Sequence, residues 1–153
     1  MNYQVFEKQP DDFQVQVQAA GCYFDCKGKF LLIKRHPDTR QGNTWGTPAG
    51  KLELGETPKM AVCREIQEEV GLDISENVSE VGKLYIRHPH SSYIYHMFYS
   101  TFGDYPEIRL DEKEHVEARW VSFDEALALP LIMGGREVLE YYKRYFSSAF
   151  LPR

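Results

Sequence analysis

Residues 57–71 constrain this chain more than any other stretch, because they spell a helix with both of its ends written in. Thr57 offers a side-chain oxygen to cap the first turn, and Pro58 fits the first helical position. Gly71 supplies the left-handed residue that ends a helix. Between them Val62, Ile66 and Val70, with Cys63, form an apolar stripe at helical spacing. Glu65, Glu68 and Glu69 stand at i, i+3 and i+4 on the opposite side. A stripe this regular must lie against something, and the rest of the chain offers strands.

Phe13 to Phe24 alternates Val15, Val17 and Ala19 with Gln14, Gln16 and Gln18, which predicts a strand. Asp25-Cys26-Lys27-Gly28-Lys29 carries turn chemistry, and Phe30 to Ile33 follows as a buried strand, so the pair is expected to form a hairpin. A polar loop from His36 to Asn43 contains Pro37 and Gly42, and a short stretch around Trp45 to Pro48 leads into Gly50. Val78 to Arg87, Tyr93 to Phe102 and Val116 to Val121 read as further strands. The second of these is apolar on both faces and belongs in the middle of a sheet. Ser122-Phe123-Asp124-Glu125 is a capping box opening a short helix before Pro130, and Gly135 to about Phe146 reads as a terminal amphipathic helix. Residues 1–12 are polar and are expected to form an arm or an edge strand. Without repeats, low-complexity tracts or a linker, 153 residues predict a single domain over 1–153, an α/β or α+β sandwich.

Composition narrows the function. Hydrophobic residues at 42% and aromatic residues at 14% supply a core, and 27% charged residues is an ordinary share, which excludes dominant disorder. No window approaches the ~18 apolar residues of a membrane span. Met1 to Lys8 lacks the layout of a secretory signal. The expectation is a soluble protein with no membrane partner. Eighteen Lys+Arg against 23 Asp+Glu give a net charge of −5, which argues against a broad grip on nucleic acid. A small polyanion is still admissible, because a bound divalent cation inverts the local charge of an acidic site. Three cysteines, Cys22, Cys26 and Cys63, suit neither a disulfide framework nor a four-ligand zinc site, and a reducing cytoplasm is the expected location.

The three glutamates admit two readings. Their Cβ atoms lie about 5–6 Å apart on one face, where they are either a solvated acidic surface with Arg64 and Glu68 as an ordinary i,i+4 pair, or an oxygen donor set for Mg²⁺ or Mn²⁺. Their surroundings favour the second. Gly50, five residues, Glu56, seven residues, then Arg64-Glu65-Ile66-Gln67-Glu68-Glu69-Val70-Gly71-Leu72 fill every fixed position of the box G-x5-E-x7-R-E-U-x-E-E-x-G-U, with U aliphatic. At ordinary residue frequencies a chance match is on the order of one in ten million. Over these residues the chain resembles the Nudix hydrolases.

The resemblance implies an α/β fold, an α/β/α sandwich with a mixed β-sheet and the box as loop–helix–loop. It implies hydrolysis of a diphosphate linkage with Mg²⁺, or Mn²⁺ in its place, in a substrate whose one half is usually a nucleoside. Glu65 and Glu69 would then be the main metal ligands, with Glu68 serving a further metal or activating water, and the carbonyl of Gly50 another ligand. Arg64 and Glu56 would support them. Many relatives draw one more glutamate from a loop ahead of a tryptophan-bearing strand. Here Glu114, six residues before Trp120, is the choice for ligand or general base, with Glu112 and Glu117 behind it. Arg35, Trp45 and Arg87 are candidate substrate contacts, the arginines having solvated surface positions as their alternative.

Pro48-Ala49-Gly50 resembles the nucleoside diphosphate sugar hydrolases of the family, whereas many of its triphosphate cleaners carry a second glycine at the place of Ala49. Pro89, 17 residues past Leu72, sits where an ADP-sugar subgroup has a proline, although a plain turn also explains it. The expected substrate is a nucleoside diphosphate sugar such as ADP-ribose. A MutT-like nucleoside triphosphate pyrophosphohydrolase is the alternative. A non-catalytic nucleotide sensor would have lost box glutamates, and none is missing. A prenyl diphosphate isomerase would need a cysteine that neither Cys22 nor Cys26 places convincingly. Tyr93, Tyr95 and Tyr99 alternate on one strand, where packing is the expectation and base stacking the alternative. His88, His90 and His96 show no metal spacing. A homodimer is compatible with the sequence.

Overall fold

The computed structural model describes residues 3–149. Its strands are β1 (Gln4–Phe6), β2 (Val17–Cys26), β3 (Lys29–Arg35), β4 (Trp45–Gly46), β5 (Ala49–Lys51), β6 (Ser79–Arg87), β7 (Ser92–Phe102) and β8 (His115–Val121). The helices are α1 (Pro58–Val70), α2 (Phe123–Leu127) and α3 (Gly135–Ala149). The sheet runs β1-β6-β7-β2-β3-β4, with β5 on β2 and β8 on β3. Among the described strands every strand-to-strand pairing is antiparallel except β2 with β7, which is parallel from Val17↔Tyr93 to Cys26↔Phe102. The sheet is therefore mixed, and β7 lies between β6 and β2 as its two apolar faces demand.

The β2–β3 hairpin turns through Lys27 (φ 55°) and Gly28 (φ 79°), the pair of left-handed residues that a type I′ turn requires. The two strands pair only at Asp25↔Phe30 and Cys26↔Lys29 and then part. Beyond the parting, β5 takes the free edge of β2 at Ala19, Ala20 and Gly21, and β4 takes that of β3 at Ile33 and Lys34. This splay opens one end of the sheet, and the functional residues gather there.

Both sheet faces are covered. Ala20, Cys22 and Phe24 pack with Ala61, Val62, Ile66 and Val70 of α1, all at 0% exposure. On the other face Leu84, Ile86 and Met97 meet Val138 and Tyr142 of α3, and Phe30, Leu32 and Trp45 meet Ala126 and Leu139. Helix α1 begins and ends where its caps predict. Thr57 Oγ1 accepts from Met60 N at 3.2 Å, and Gly71 (φ 75°) donates to the Gln67 carbonyl. The Ser122–Glu125 capping box is closed in both directions.

One expectation fails in detail. Residues 13–16 are not strand, and Val15 is 42% exposed, so Val15, Val17 and Ala19 do not form one inward face. The deeply buried positions of β2 are the even ones, Ala20, Cys22, Phe24 and Cys26 at 0% exposure, while Val17, Ala19, Tyr23 and Asp25 are only half-buried, so the face that the Val–Gln alternation picks out is the less buried one. The N-terminal arm is an edge strand, β1 on β6, held to α3 by Tyr3 Oη donating to Glu137 at 3.1 Å. The three cysteines are free thiols. Among the described residues no helix is long and apolar enough to cross a membrane.

Candidate active site

Arg64 organises the outward face of α1. Its Nε and Nη2 donate to the two oxygens of Glu56 at 2.7 and 2.9 Å, and Nη1 reaches Glu65 Oε1 at 2.8 Å and Glu68 Oε2 at 3.3 Å. Nη2 also donates to the Lys51 carbonyl at 3.1 Å, which clamps the end of β5 onto the helix. The guanidinium holds the Glu56 carboxyl down at about 2, and Glu56 in turn pushes the Arg64 pKa further up. The crowded carboxylates thus have a cation built in among them.

Glu65 and Glu69 turn towards β5. A Cβ built at Gly50 would fall inside the carboxyl group of Glu65, so only glycine lets the strand come this close. Glu69 Oε2 accepts from Ala49 N at 3.1 Å. Burial raises both carboxyls. The Glu69 group, pushed up further by the charges of Glu65 and Glu114 and drawn down by Arg35, lies well above its ordinary range. Glu68 does not join them: it is 56% exposed and leans on Arg64.

Glu114 is exposed on the loop ahead of β8, near enough for its charge to act on Glu69. That loop is stitched to the end of α1 by Arg109 N donating to the Val70 carbonyl and Asp111 N to the Glu69 carbonyl, at 2.9 and 3.1 Å. The Glu114 carbonyl accepts from His36 N at 2.8 Å. Glu117, by contrast, is paired with Arg119 at 2.8 Å. Among the described residues no three His, Cys, Asp or Glu side chains converge into a ready-made metal cage. Two carboxylates against a glycine backbone fit a hard divalent cation of the Mg²⁺ kind, which keeps several waters and takes substrate oxygens rather than an all-protein shell.

Where β2 and β3 part, a cleft of about 380 Å³ opens beside Gly50. Arg35, Arg40 and Lys51 bring positive charge to its lining, and Val17, Ala19, Tyr93, Ile132 and Met133 give it an apolar wall. Among the described residues no Asp or Glu lines it, although acids outnumber bases in the chain 23 to 18. Thr47 and Tyr95, joined through their hydroxyls at 3.1 Å, also face it. His115, 5% exposed, is another lining residue; burial pushes its imidazole down to about 4, with Arg35 adding to the effect, so it is neutral at pH 7. Its Nδ1 is buried without a hydrogen-bond partner among the described residues.

The candidate contacts divide. Arg35 lies in the cleft, with its Nε on the Arg40 carbonyl at 2.6 Å. Trp45 does not join it: its ring is 2% exposed, packed in the core beneath Arg119, whose guanidinium sits 4.8 Å from the ring centroid. Arg87 lies apart, paired with Asp12 at 2.9 Å and resting over Phe6. Tyr93 and Tyr95 face the cleft, whereas Tyr99 packs edge-on against Phe146. His96 is buried and bonded to Gln18 at 2.7 Å. Pro89 sits in the β6–β7 turn closed by His88 N donating to Ser91 O. Sequence reading missed Arg40, Lys51, Gln41 and His115 as cleft residues. Each is an ordinary polar residue in its local context, and only the splay of β2 from β3 brings them to one place.

A mixed-sheet α/β/α sandwich whose one acid-faced helix abuts a glycine strand defines a class of domain. Residues 15–142 match the model of the NUDIX domain, and the chain belongs to the NUDIX family. An ADP-ribose pyrophosphatase of Bacillus subtilis (strain 168) is 30% identical over 78% of this chain and 63% of that protein. A CTP pyrophosphohydrolase of Escherichia coli (strain K12) is 28% identical over 82% of this chain and 90% of that protein. The crystal structure of a MutT protein from Methanosarcina mazei Go1 shares the fold with a TM-score of 0.74 at 22% identity, covering 88% of this chain and 96% of that one. The chain spans between 37% and 63% of the length of three of the curated relatives it matches.

Proposed function

We propose that this chain hydrolyses the phosphoanhydride of a nucleoside diphosphate derivative, X–O–P–O–P–Y + H₂O → X–O–P–OH + HO–P–Y, with Mg²⁺ as the cofactor. The observation that carries the reading is the pairing of two half-buried carboxylates with an acid-free cleft that presents three cations in an acidic chain. Such a site takes a polyanion together with a divalent cation.

Arg35, Arg40 and Lys51 hold the phosphates by charge. The apolar wall at Tyr93, Ile132 and Met133 accepts the nucleoside. Glu65, Glu69 and the Gly50 backbone would hold the cation, which when bound neutralises the diphosphate and polarises its phosphorus–oxygen bonds. Arg64 keeps Glu65 in place, and Glu56 keeps Arg64 in place. Glu114, exposed beside Glu69, takes the proton of the attacking water. Glu68 stays with Arg64 as part of that support.

Nucleoside diphosphate sugars, ADP-ribose first, are the favoured substrates on the strength of Pro48-Ala49-Gly50 and of the likeness to an ADP-ribose pyrophosphatase. The likeness to a CTP pyrophosphohydrolase over nine-tenths of its length supports triphosphates as the second reading. Purified protein with Mg²⁺ or Mn²⁺, offered ADP-ribose, CTP, 8-oxo-dGTP and a dinucleoside polyphosphate, separates them. AMP with ribose 5-phosphate as the fastest products upholds the first reading, and CMP with pyrophosphate the second. A folded protein that cleaves none of the panel overturns both.

A further inference from the structure

Two segments far apart in sequence, paired through their backbones at Trp45 and residues 130–132, are joined again at the cleft by a side chain. Gln41 Oε1 accepts from Met133 N at 2.7 Å, across 92 residues. Both residues line the cleft, Gln41 beside the cations and Met133 on the apolar wall.

The backbone on each side is arranged to make this contact. Gln41 and Asn43 hold φ at 52° and 64°, a left-handed conformation that side-chain-bearing residues rarely adopt. The loop is braced to keep it so: Thr44 Oγ1 donates to the Gln41 carbonyl at 2.6 Å, Arg35 Nε to the Arg40 carbonyl at 2.6 Å, and Asn43 N to the Arg35 carbonyl at 3.1 Å. Opposite, Ile132 N donates to the Trp45 carbonyl at 2.8 Å, which presents the next amide, that of Met133, to the loop. Gln41 itself is exposed, and an exposed hydrogen bond adds little to global stability. A strained residue held in place by its neighbours to make one exposed, long-range bond at a cleft mouth points to a role in the site.

We propose that Gln41 is a specificity-determining positioning residue. Its side chain clasps the 36–44 loop to the 131–134 segment, and the clasp sets the spacing between the phosphate-holding cations Arg35 and Arg40 and the wall at Ile132 and Met133. A nucleotide must match that spacing to engage both ends. This rests on the hydrolase reading above and adds a determinant outside the residues of the glycine–glutamate box.

Two substitutions test it without adding strain. Gln41→Gly suits the left-handed backbone and removes the side chain. Gln41→Asn also suits it and keeps an amide one methylene too short to reach Met133 N. With whichever of ADP-ribose or CTP the wild type prefers, both variants are expected to raise KM by about fivefold, the worth of one hydrogen bond, with kcat within about twofold. The preference between the two substrates should shrink, and amide exchange at Met133 should accelerate. Unchanged KM, a kcat loss at constant KM, or a protected Met133 amide in the variants overturns the clasp. If the wild type cleaves neither compound, the clasp is judged on the Kd of ADP-ribose and CTP, and the hydrolase reading is judged separately on the rest of the panel. The same fivefold loss then upholds it; equal or absent binding overturns it.

Discussion

The acid face of α1 and the cleft beside it are built in opposite ways. Every partner of Arg64 lies within 13 residues of it, from Lys51 to Glu68, so helical spacing and one short loop fix the whole cluster. The cleft draws Arg35, Lys51, Tyr93, His115 and Met133 from five separate stretches, and it exists because β2 and β3 part after two pairs. The local construction is rigid and carries the proposed chemistry. The assembled construction can change its walls one loop at a time and carries the proposed selection. Substitutions in the first should therefore alter turnover of every substrate alike, and substitutions in the second should alter the ratio between substrates.

The sharpest way to break that division is Glu69→Gln. On the proposed reading it deletes a cation ligand while leaving the Ala49 contact a possible acceptor, and turnover of all substrates should fall by about 10³-fold or more, equivalent to about 4 kcal/mol of lost transition-state stabilisation. Because the substitution also removes a charge from a half-buried position, the melting temperature in the absence of metal should hold or rise. Steady-state kinetics alongside thermal unfolding reads both. A folded Glu69→Gln protein that retains turnover removes Glu69 from the site.

The other side of the same helix gives the next largest effect. Ile66 is fully buried against Ala20, Cys22 and Phe24 of β2 in the core under α1. Ile66→Ala should lower unfolding stability by about 2–5 kcal/mol, seen as a lower urea midpoint at an unchanged slope. Its substrate preference should stay that of the wild type where the protein is folded, since the cleft walls are untouched. A changed preference would show that the helix core and the cleft are coupled, contrary to the division drawn above.

What could be read from the sequence follows the same line. The bounds of α1, its two faces, the capping box at Ser122 and the central place of β7 were all legible, because each is decided by residues within a turn or two, or by a run apolar on both faces. The Arg64–Glu56 pair was legible from the box. Trp45 misled as a substrate contact, since an aromatic next to a functional loop can serve the core equally well, and burial decided it. Arg87 misled because Asp12, its partner, is 75 residues away. Gln41 carried no signal at all: glutamine in a polar loop looks like solvent-facing filler until the strand splay brings Met133 to it.

A smaller effect sharpens the account of the acid face. Arg64 uses the fork of its guanidinium on Glu56 while a second arm serves Glu65 and Glu68. Lysine keeps the charge and loses that geometry. Arg64→Lys should lower stability by about 1–3 kcal/mol, the range for charge-assisted hydrogen bonds at a partly buried site, and should lower kcat for every substrate in the same proportion, because Glu65 is freed on its helix. Unequal losses across substrates would place Arg64 in selection rather than support.

The smallest effect isolates Glu56 by pH. Its carboxyl titrates near 2 in the folded protein instead of 4.5, with the hydrogen bonds from Arg64 as the main cause and the Glu53 amide adding to them. A carboxylate with a depressed folded pKa binds its proton more readily once unfolded, so it contributes stability that is complete above the ordinary value and disappears as pH falls through the folded one. The stability gap between the wild type and Glu56→Gln should therefore be level above about pH 5.5 and close steadily between about 4.5 and 2. Taking the difference between the two proteins cancels the titration of Glu69, on which Glu56 does not act, and leaves only the small change at Glu65, whose raised value Glu56 helps to set as the least of its causes. Urea unfolding at pH 7, 5.5, 4 and 3 follows the gap. A gap that stays level down to pH 3 would mean that Arg64 holds Glu56 through shape and packing rather than charge, and the acid face would then resemble the assembled cleft more than the division allows.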